Sequence, residues 1–269
     1  MIIWIASYPK SGNTWVRSLL SSYLYTEDGI FNFSLLKKID QFPHTKFFNY
    51  FTNDFSNIKN ISNYWIAAQD RLNFLNDNKT IFLKTHSALC TLENNSFTNA
   101  NNTQAVIYVV RDPRNVITSI SNHFSHDLKE SYKFITNRNK IISGSDFSMS
   151  TVLGSWSDHY TSWNKIKFSP ILVVKYEDLI NDTKNSLINI LNFLSKFVDV
   201  KINDKKILNT INSCSFENLS KMEKEEGFIE AVVSKKNDKK INFFYLGKKN
   251  NWENLLKPEM EKEIRFIFN

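Results

Sequence analysis

Three short segments carry residue types suited to binding and moving an anionic group. The first is the run from Tyr8 to Trp15, in which a lysine, two hydroxyls and a glycine lie within a few residues. Glycine lets the backbone come close to a ligand, and the free N–H groups at a helix start favour an anion. Lys10 precedes Gly12 and no Gly-Lys-Ser/Thr follows, so the run is not a Walker A loop. It predicts an anion site, with an ordinary strand-to-helix turn as the alternative.

The second segment contains Arg111 and, eight residues later, Ser119. The planar fork of an arginine makes two parallel charge-assisted hydrogen bonds to a phosphate. Arg111 follows a buried strand and Ser119 lies in the helix after it, so the two side chains are expected to share one phosphate. A structural ion pair between Arg111 and Asp112 is the alternative.

The third segment is Lys84-Thr85-His86, at the end of another apolar run. Imidazole has an unperturbed pKa of about 6.5, which suits proton transfer near neutral pH. Lys84 is placed to neutralise the oxygens of a transferring group. A lone histidine is often structural, and this reading stays open for His86.

The elements that must position these residues follow from apolar periodicity. Continuous apolar runs predict strands at Ile2 to Ala6, Thr80 to Leu83, Ala105 to Val110 and Ile171 to Val174. Helical spacing follows the first, third and fourth runs, and Pro258 is suited to begin a last helix. Strands alternating with helices predict a single α/β domain over residues 1–269, with a mainly parallel sheet and a P-loop-like first strand–loop–helix. Ligands bind beyond the carboxyl ends of such strands, where all three segments lie.

Three stretches fit this scheme poorly. Residues 27–64 are aromatic and irregular, residues 124–150 are polar, and residues 221–241 are strongly charged. Long irregular segments are usually binding loops or lids. We expect the first two to line an acceptor pocket. The run from Lys235 to Lys240 is either a solvated face or part of a phosphate-covering lid.

Composition narrows the class of protein. The net charge of +7 favours anionic partners in general, but no motif indicates direct nucleic-acid binding. Cys90, Cys214 and the five histidines show no metal-ligand spacing, so no metal is expected. The apolar start is too short for a signal peptide, and no run is long enough to span a bilayer. A cytoplasmic protein is therefore expected.

Taken together, these motifs resemble the cytosolic-type sulfotransferase family, which uses 3′-phosphoadenosine 5′-phosphosulfate (PAPS) as sulfuryl donor and releases PAP. The resemblance covers nearly the whole chain in order. It implies that the first loop binds the 5′-phosphosulfate, that Arg111 and Ser119 bind the 3′-phosphate, and that His86 is the catalytic base. The loop residues carried over are Lys10, Ser11, Gly12, Asn13, Thr14 and Trp15.

The resemblance also implies an adenine site. Tyr176 would touch the base, Trp15 and Phe216 would enclose it, and Cys214 stands where the family has a small residue. From the residues alone, Trp15 and Phe216 are equally well core aromatics. The segment from Gly154 to Trp163, with His159, matches a helix that we interpret as mainly structural.

One segment departs from the family pattern. Where relatives commonly have Arg-Lys-Gly, followed by a tryptophan, this chain has Tyr245-Leu246-Gly247 and Trp252. The uncharged pair weakens the expected contact with the 3′-phosphate, for which Lys248 and Lys249 are candidates. The family's dimerisation segment is not recognisable, so the oligomeric state stays open.

The sequence thus predicts in-line transfer of a sulfuryl group to a hydroxyl or amine of a small-molecule, sugar or lipid acceptor. His86 would take the acceptor's proton, Lys10 would stabilise the leaving oxygen and Lys84 would neutralise the sulfuryl oxygens. A non-catalytic nucleotide- or glycan-binding relative is one alternative, favoured by the altered Tyr245-Leu246. A P-loop kinase is a weaker one, because the Walker A pattern is missing.

Overall fold

The structure is a computed structural model that describes residues 1–144, 149–233 and 238–268. In chain order its strands are β1 (Ile2–Ser7), β2 (Asp40–Gln41), β3 (Ile81–Thr85), β4 (Thr91–Leu92), β5 (Asn95–Ser96), β6 (Thr103–Val110), β7 (Ile141–Ile142), β8 (Thr151–Val152), β9 (Ile171–Lys175), β10 (Val232–Val233) and β11 (Lys240–Ile241). Each strand expected from an apolar run is present, and the boundaries shift by only one or two residues.

The helices connect these strands along the chain. They are α1 (Asn13–Tyr25), α2 (Thr45–Phe48), α3 (Ile58–Ser62), α4 (Trp65–Leu75), α5 (Pro113–Phe124), α6 (Leu128–Thr136), α7 (Trp156–Asn164), α8 (Tyr176–Asn181), α9 (Thr183–Leu194), α10 (Asp204–Ser213), α11 (Phe216–Glu226), α12 (Trp252–Leu255) and α13 (Pro258–Phe268). Short 3-10 turns lie at Phe33–Lys38 and Gly247–Lys249.

Within the described residues, five strands form one parallel sheet in the order β2-β3-β1-β6-β9. The central strand β1 is buried on both faces. Ile3 and Ile5 pack into the core beneath α1, α9 and α10, while Ile2, Trp4 and Ala6 pack into the core on the other face. This two-sided burial explains why its sequence is a continuous apolar run. The predicted α/β fold with a parallel sheet is confirmed.

The stretches expected to be irregular are more regular than their sequences indicate. Residues 27–64 contain β2, which adds an edge strand beside β3, as well as α2 and α3. Residues 124–150 contain α6, whose start is fixed by a capping box between Asp127 and Glu130. Residues 145–148, 234–237 and 269 lie outside the described residues, so the run from Lys235 to Lys240 is described only from Asp238 onward. No helix in the described ranges is long and apolar enough to cross a bilayer.

Candidate active site

A cavity of about 1520 Å³ opens at the carboxyl ends of β1, β3 and β6. It brings together residues from all three predicted segments and from the carboxyl-terminal third of the chain. Among the residues lining it are Lys10, Gly12, Asn13, Thr14, Trp15, Lys84, His86, Arg111, Ser119, Tyr176, Phe216 and Gly247. The convergence expected at this sheet edge is therefore present.

The loop after β1 is held in a conformation that needs glycine. Gly12 has a φ of 102°, and a Cβ built there would lie 2.4 Å from the ring of Tyr176. Asn13 Nδ2 donates to Ile5 O (2.9 Å) and to Ser7 Oγ (3.1 Å), so the loop is fastened to the strand it leaves. Ser11 Oγ is buried without a hydrogen-bond partner. Ser11 is not among the residues that line the cavity, whereas Gly12 to Trp15 are, so the suitability of this preformed loop for an anion rests on the helix start.

Lys10 reaches into the cavity from this loop. Its Nζ lies 3.7 Å from the centre of the Phe243 ring, a cation–π contact with the opposite wall. Burial lowers the pKa of Lys10 to about 7, with Arg111 and Lys84 acting in the same direction and Glu230 opposing them. An anion bound beside Lys10 would restore its charge.

Arg111 lies directly beside the loop. Its Nη1 donates to Lys10 O (3.0 Å), and its guanidinium lies 4.2 Å from the centre of the Tyr176 ring. Its Nε is buried and has no partner. The expected alternative, an ion pair with Asp112, is not found; Asp112 pairs with Arg114 instead (2.7 Å). Arg111 thus keeps an unsatisfied buried donor at the same edge as Lys10.

His86 is oriented by the backbone of β1. Its Nδ1 lies 2.8 Å from Ser7 O, and because a carbonyl only accepts, Nδ1 carries the proton. Nε2 is then the unprotonated nitrogen. Burial and the neighbouring Lys84 hold the pKa of His86 well below its usual range, so the ring is neutral near pH 7. A neutral imidazole with a free nitrogen is chemically suited to accept a proton.

A buried network supports the His86 backbone. Tyr108 Oη donates to His159 Nδ1 (2.8 Å), and His159 Nε2 donates to His86 O (3.1 Å). Trp163 Nε1 donates to Ser87 O (2.9 Å). The helix α7 therefore holds the segment after β3, which agrees with the structural role expected for this helix.

A carboxylate that the sequence did not single out, Glu230, also lines the cavity. Glu230 Oε2 accepts from Thr14 Oγ1 (2.8 Å), and Oε1 accepts from Arg17 Nη1 (2.5 Å) and Lys84 Nζ (3.4 Å). Its partners are 146 to 216 residues away along the chain, so no local pattern indicates this contact. Lys84 and Arg17 are almost completely buried.

Aromatic side chains form the end of the cavity that was predicted to hold adenine. The rings of Trp15 and Tyr176 meet edge to face at 5.9 Å, and Phe216 packs against Gly247, where a Cβ would lie 2.9 Å from its ring. The side chain of Cys214 is fully buried in the core, and Cys214 is not among the residues that line the cavity. It acts through its backbone, since Trp15 Nε1 donates to Cys214 O (2.9 Å).

The wall opposite the loop is fastened by a second carboxylate, Glu223. It accepts from the backbone N–H groups of Phe243 (2.7 Å) and Phe244 (2.9 Å). In the segment that departs from the family pattern, Tyr245 and Leu246 line the cavity, and so do Lys248 and Lys249, which lie in a 3-10 turn. The side chain of Asn250 fastens this turn to α5 by accepting from Thr118 Oγ1 (2.6 Å).

The stretches expected to line an acceptor pocket contribute in part. Residues 27–64 supply Phe33, Leu36, Lys37, Asp40, Gln41 and His44 to the cavity lining. From residues 124–150, Phe124 and Ile142 line it. Phe33 packs against Phe228 (4.7 Å between ring centres), which makes this side of the cavity aromatic.

The fold and the cavity define an α/β protein with a glycine-containing loop and a neutral histidine at the ends of its parallel strands. A sequence profile of the sulfotransferase domain matches residues 2–269. The chain therefore belongs to the sulfotransferase family, as its motifs predicted.

Several named relatives agree with this assignment. The chain is 28% identical to luciferin sulfotransferase from Photinus pyralis, over 80% of this chain and 55% of that protein. It is 26% identical to amine sulfotransferase from Oryctolagus cuniculus, over 81% and 62% of the two chains. It is 25% identical to cytosolic sulfotransferase 13 from Arabidopsis thaliana, over 97% of this chain and 73% of that protein. The matched region thus spans little more than half of the luciferin enzyme.

Solved structures share the fold. A mouse sulfotransferase complexed with PAP superposes with a TM-score of 0.59 at 18% identity, covering 99% of this chain and 82% of that one. Retinol dehydratase in complex with retinol and PAP superposes with a TM-score of 0.58 at 18% identity, covering 98% of this chain and 78% of that one.

Proposed function

We propose that this protein transfers the sulfuryl group of PAPS to a hydroxyl or amine of an acceptor, with residues 1–269 acting as one sulfotransferase domain. One observation carries the proposal. The loop around Lys10, the unpartnered donor of Arg111 and the free nitrogen of His86 line a single cavity. Family membership supports the same chemistry.

The donor would lie across the cavity from Lys10 to Ser119. The loop N–H groups, Lys10 and the hydroxyl of Thr14 would hold the 5′-phosphosulfate, and Arg111 with Ser119 would hold the 3′-phosphate. Lys10 O accepts from Arg111, so the two anion sites lie side by side. Trp15, Tyr176 and Phe216 would enclose the adenine, since all three line the cavity, Trp15 contacts Tyr176, and Trp15 donates to the backbone two residues before Phe216.

The transfer would proceed by in-line displacement at sulfur. The acceptor oxygen or nitrogen forms a bond to sulfur while the bond from sulfur to the phosphate oxygen breaks, and that oxygen keeps the electron pair. The acceptor's proton passes to Nε2 of His86. Lys10 stabilises the leaving oxygen and Lys84 the sulfuryl oxygens, because preorganised cations act where charge develops.

Lys248 and Lys249 are proposed to replace the family's Arg-Lys pair. They follow Gly247 directly, and the Asn250–Thr118 hydrogen bond fixes their turn against α5, which also carries Ser119. Two lysines there would return positive charge to the 3′-phosphate end, although each acts as a point charge without the fork of arginine.

The acceptor is proposed to be a small molecule with an aromatic or apolar body; a sugar or a lipid hydroxyl would also supply the nucleophile. Phe33, Phe124 and Ile142 line the cavity and would bury an apolar body. The relatives' names include luciferin, amine and flavonol sulfotransferases, which supports a small organic acceptor. Relatives named cytosolic support a cytoplasmic setting.

A ligand panel tests the donor class. PAP should raise the thermal midpoint of the purified chain, because it binds the folded state, whereas ATP with Mg²⁺ and NAD should not. Transfer of labelled sulfate from PAPS to a test phenol then separates an enzyme from a non-catalytic binder. Stabilisation by ATP but not by PAP would contradict the proposal and favour a kinase.

A further inference from the structure

Glu230 occupies a position that the proposed reaction does not use. Its carboxylate accepts from the hydroxyl of Thr14 and from the ammonium of Lys84. Thr14 belongs to the loop assigned to the donor's 5′ end, and Lys84 is assigned to the sulfuryl oxygens. The carboxylate therefore holds two groups that the donor's own anionic end would need.

The third partner, Arg17, is fixed independently of Glu230. Its Nη2 donates to two backbone carbonyls, Leu36 O (3.2 Å) and Ile39 O (2.9 Å), while Nη1 faces Glu230. Its Nε is buried without a partner. Arg17 would consequently stay in place if the carboxylate left, so Arg17, Lys84 and Thr14 form a built anion site whose present occupant is a side chain of the protein itself.

The backbone around Glu230 indicates how the carboxylate can move. Gly227 ends α11 at φ 77° and ψ 171°, a conformation that is essentially restricted to glycine. Phe228 is anchored between Phe33 (4.7 Å) and Phe243 (4.9 Å), and Ile229 is 89% exposed. Glu230 itself has 23% of its side chain exposed, so it reaches the site from a solvent-facing turn. A rotation of this side chain toward solvent would vacate the site.

We propose that Glu230 is an internal anion that occupies the subsite of the donor's 5′-phosphate and is exchanged for that phosphate when the nucleotide binds. This inference rests on the proposed function. The nucleotide binds only to protein molecules in which the carboxylate has left the site. The apparent affinity is therefore the intrinsic affinity multiplied by the fraction of molecules in that state. Glu230 thereby sets the affinity for donor and product.

The ionisation of Glu230 agrees with this role. Burial alone would raise its pKa, but Lys84, Arg17 and the Thr14 hydrogen bond together hold the pKa far below the usual range. The carboxylate is therefore charged throughout the neutral range and competes as an anion.

The test is calorimetric binding of PAP and of adenosine 3′-monophosphate to the whole chain and to Glu230→Gln. The substitution keeps the shape and removes the charge, and PAP should then bind about tenfold more tightly. Adenosine 3′-monophosphate lacks the 5′ anion, so its affinity should change by less than about twofold. If the glutamine variant fails to fold, Glu230→Asp replaces it. Its carboxylate is one methylene shorter and reaches the site less well, so PAP should again bind more tightly.

A matched control separates occupancy from net charge. Glu223→Gln also removes a buried carboxylate near Lys10, but the oxygens of Glu223 accept backbone N–H groups of the wall. PAP affinity should not increase in this variant. An equal increase for Glu223→Gln, or no increase for Glu230→Gln, overturns the inference and leaves the proposed function intact. If PAP binds to neither the parent chain nor Glu230→Gln, the donor site itself is wrong.

Discussion

The two sides of the cavity are built by different means. One side, the floor, consists of the loop after β1, His86 and Arg111, and backbone atoms of β1 and of that loop hold it. Ser7 O fixes His86, Ile5 O fixes Asn13, and Lys10 O fixes Arg111. The other side, the wall, consists of the cavity-lining residues within 216–232 and 243–250, and the carboxylates of Glu223 and Glu230 hold it.

The two sides are therefore expected to differ in whether their contacts change when a ligand binds. Backbone contacts at strand ends cannot change without disturbing the sheet, so the floor presents preformed donors to a ligand. The Glu230 carboxylate can be replaced by another anion. Chemistry is therefore expected to depend on the floor, and the affinity for the nucleotide on both sides.

The largest effect is expected at His86. His86→Ala removes the free Nε2, and because a positioned general base contributes about 10²–10⁴-fold, turnover should fall by roughly 100-fold or more. PAP affinity should change little, because His86 is not assigned to the nucleotide. Initial rates with labelled PAPS and calorimetry with PAP measure the two quantities separately.

His123 provides the matched control, since it also lines the cavity but contacts Phe243 of the wall. His123→Ala should reduce turnover far less than His86→Ala. Equal losses in the two variants would show that the floor has no special part in the chemistry.

A smaller effect is expected from Gly12→Ala. The new methyl group would lie 2.4 Å from the Tyr176 ring at a φ of 102°, so the loop must shift and PAP affinity should fall by about 100-fold, or about 2.7 kcal/mol. Gly154→Ala carries a comparable strain at φ 68° but meets its neighbour at an ordinary 3.5 Å. The Gly154→Ala variant should bind PAP with an affinity within about threefold of the parent. A similar loss of affinity in both variants would mean that backbone strain alone explains the result.

How much of the site the sequence predicts differs between the two sides. The floor follows from short motifs placed directly after apolar runs, so the amino-acid pattern alone assigns Lys10, His86 and Arg111 to one sheet edge. The wall has no such pattern. Glu230 meets Arg17 across 213 residues, and its surrounding sequence is a charged stretch like many solvated surfaces.

The fold shows the same contrast. Strands buried on both faces are obvious from the sequence, whereas β2 has only two residues and pairs through its backbone. The helix α6 was missed although a local signal existed, since Asp127 and Glu130 have the spacing of a capping box. For Cys214 the sequence does not indicate which of its atoms faces the site, and in the structure the backbone carbonyl contacts Trp15 while the side chain is buried.

The smallest effect is a proton taken up at Lys10. Its pKa of about 7 in the free protein should rise when a phosphate dianion binds, so binding above pH 7 takes up a proton and affinity falls as pH rises. Near pH 8, PAP binding should take up about one proton per PAP. The affinity for PAP should then fall by about tenfold per pH unit. Calorimetry in buffers of different ionisation enthalpy measures this uptake.

Lys10→Arg sharpens this test, because arginine stays charged at every pH used. The proton uptake should disappear in this variant. Uptake that persists would assign the proton to another group and remove Lys10 from the phosphate contact.

The central claim is that Lys10 and Arg111 bind the 5′- and 3′-phosphates, respectively, of one doubly phosphorylated nucleotide. Its most direct test is the preference for PAP over adenosine 5′-monophosphate, which lacks the 3′-phosphate, measured by calorimetry in the parent chain and in Arg111→Ala. We predict that the substitution reduces this preference by about 10- to 100-fold, because a hydrogen bond to a charged group contributes about 1.5–3 kcal/mol, while the monophosphate affinity stays nearly constant. An unchanged preference in Arg111→Ala would contradict the account.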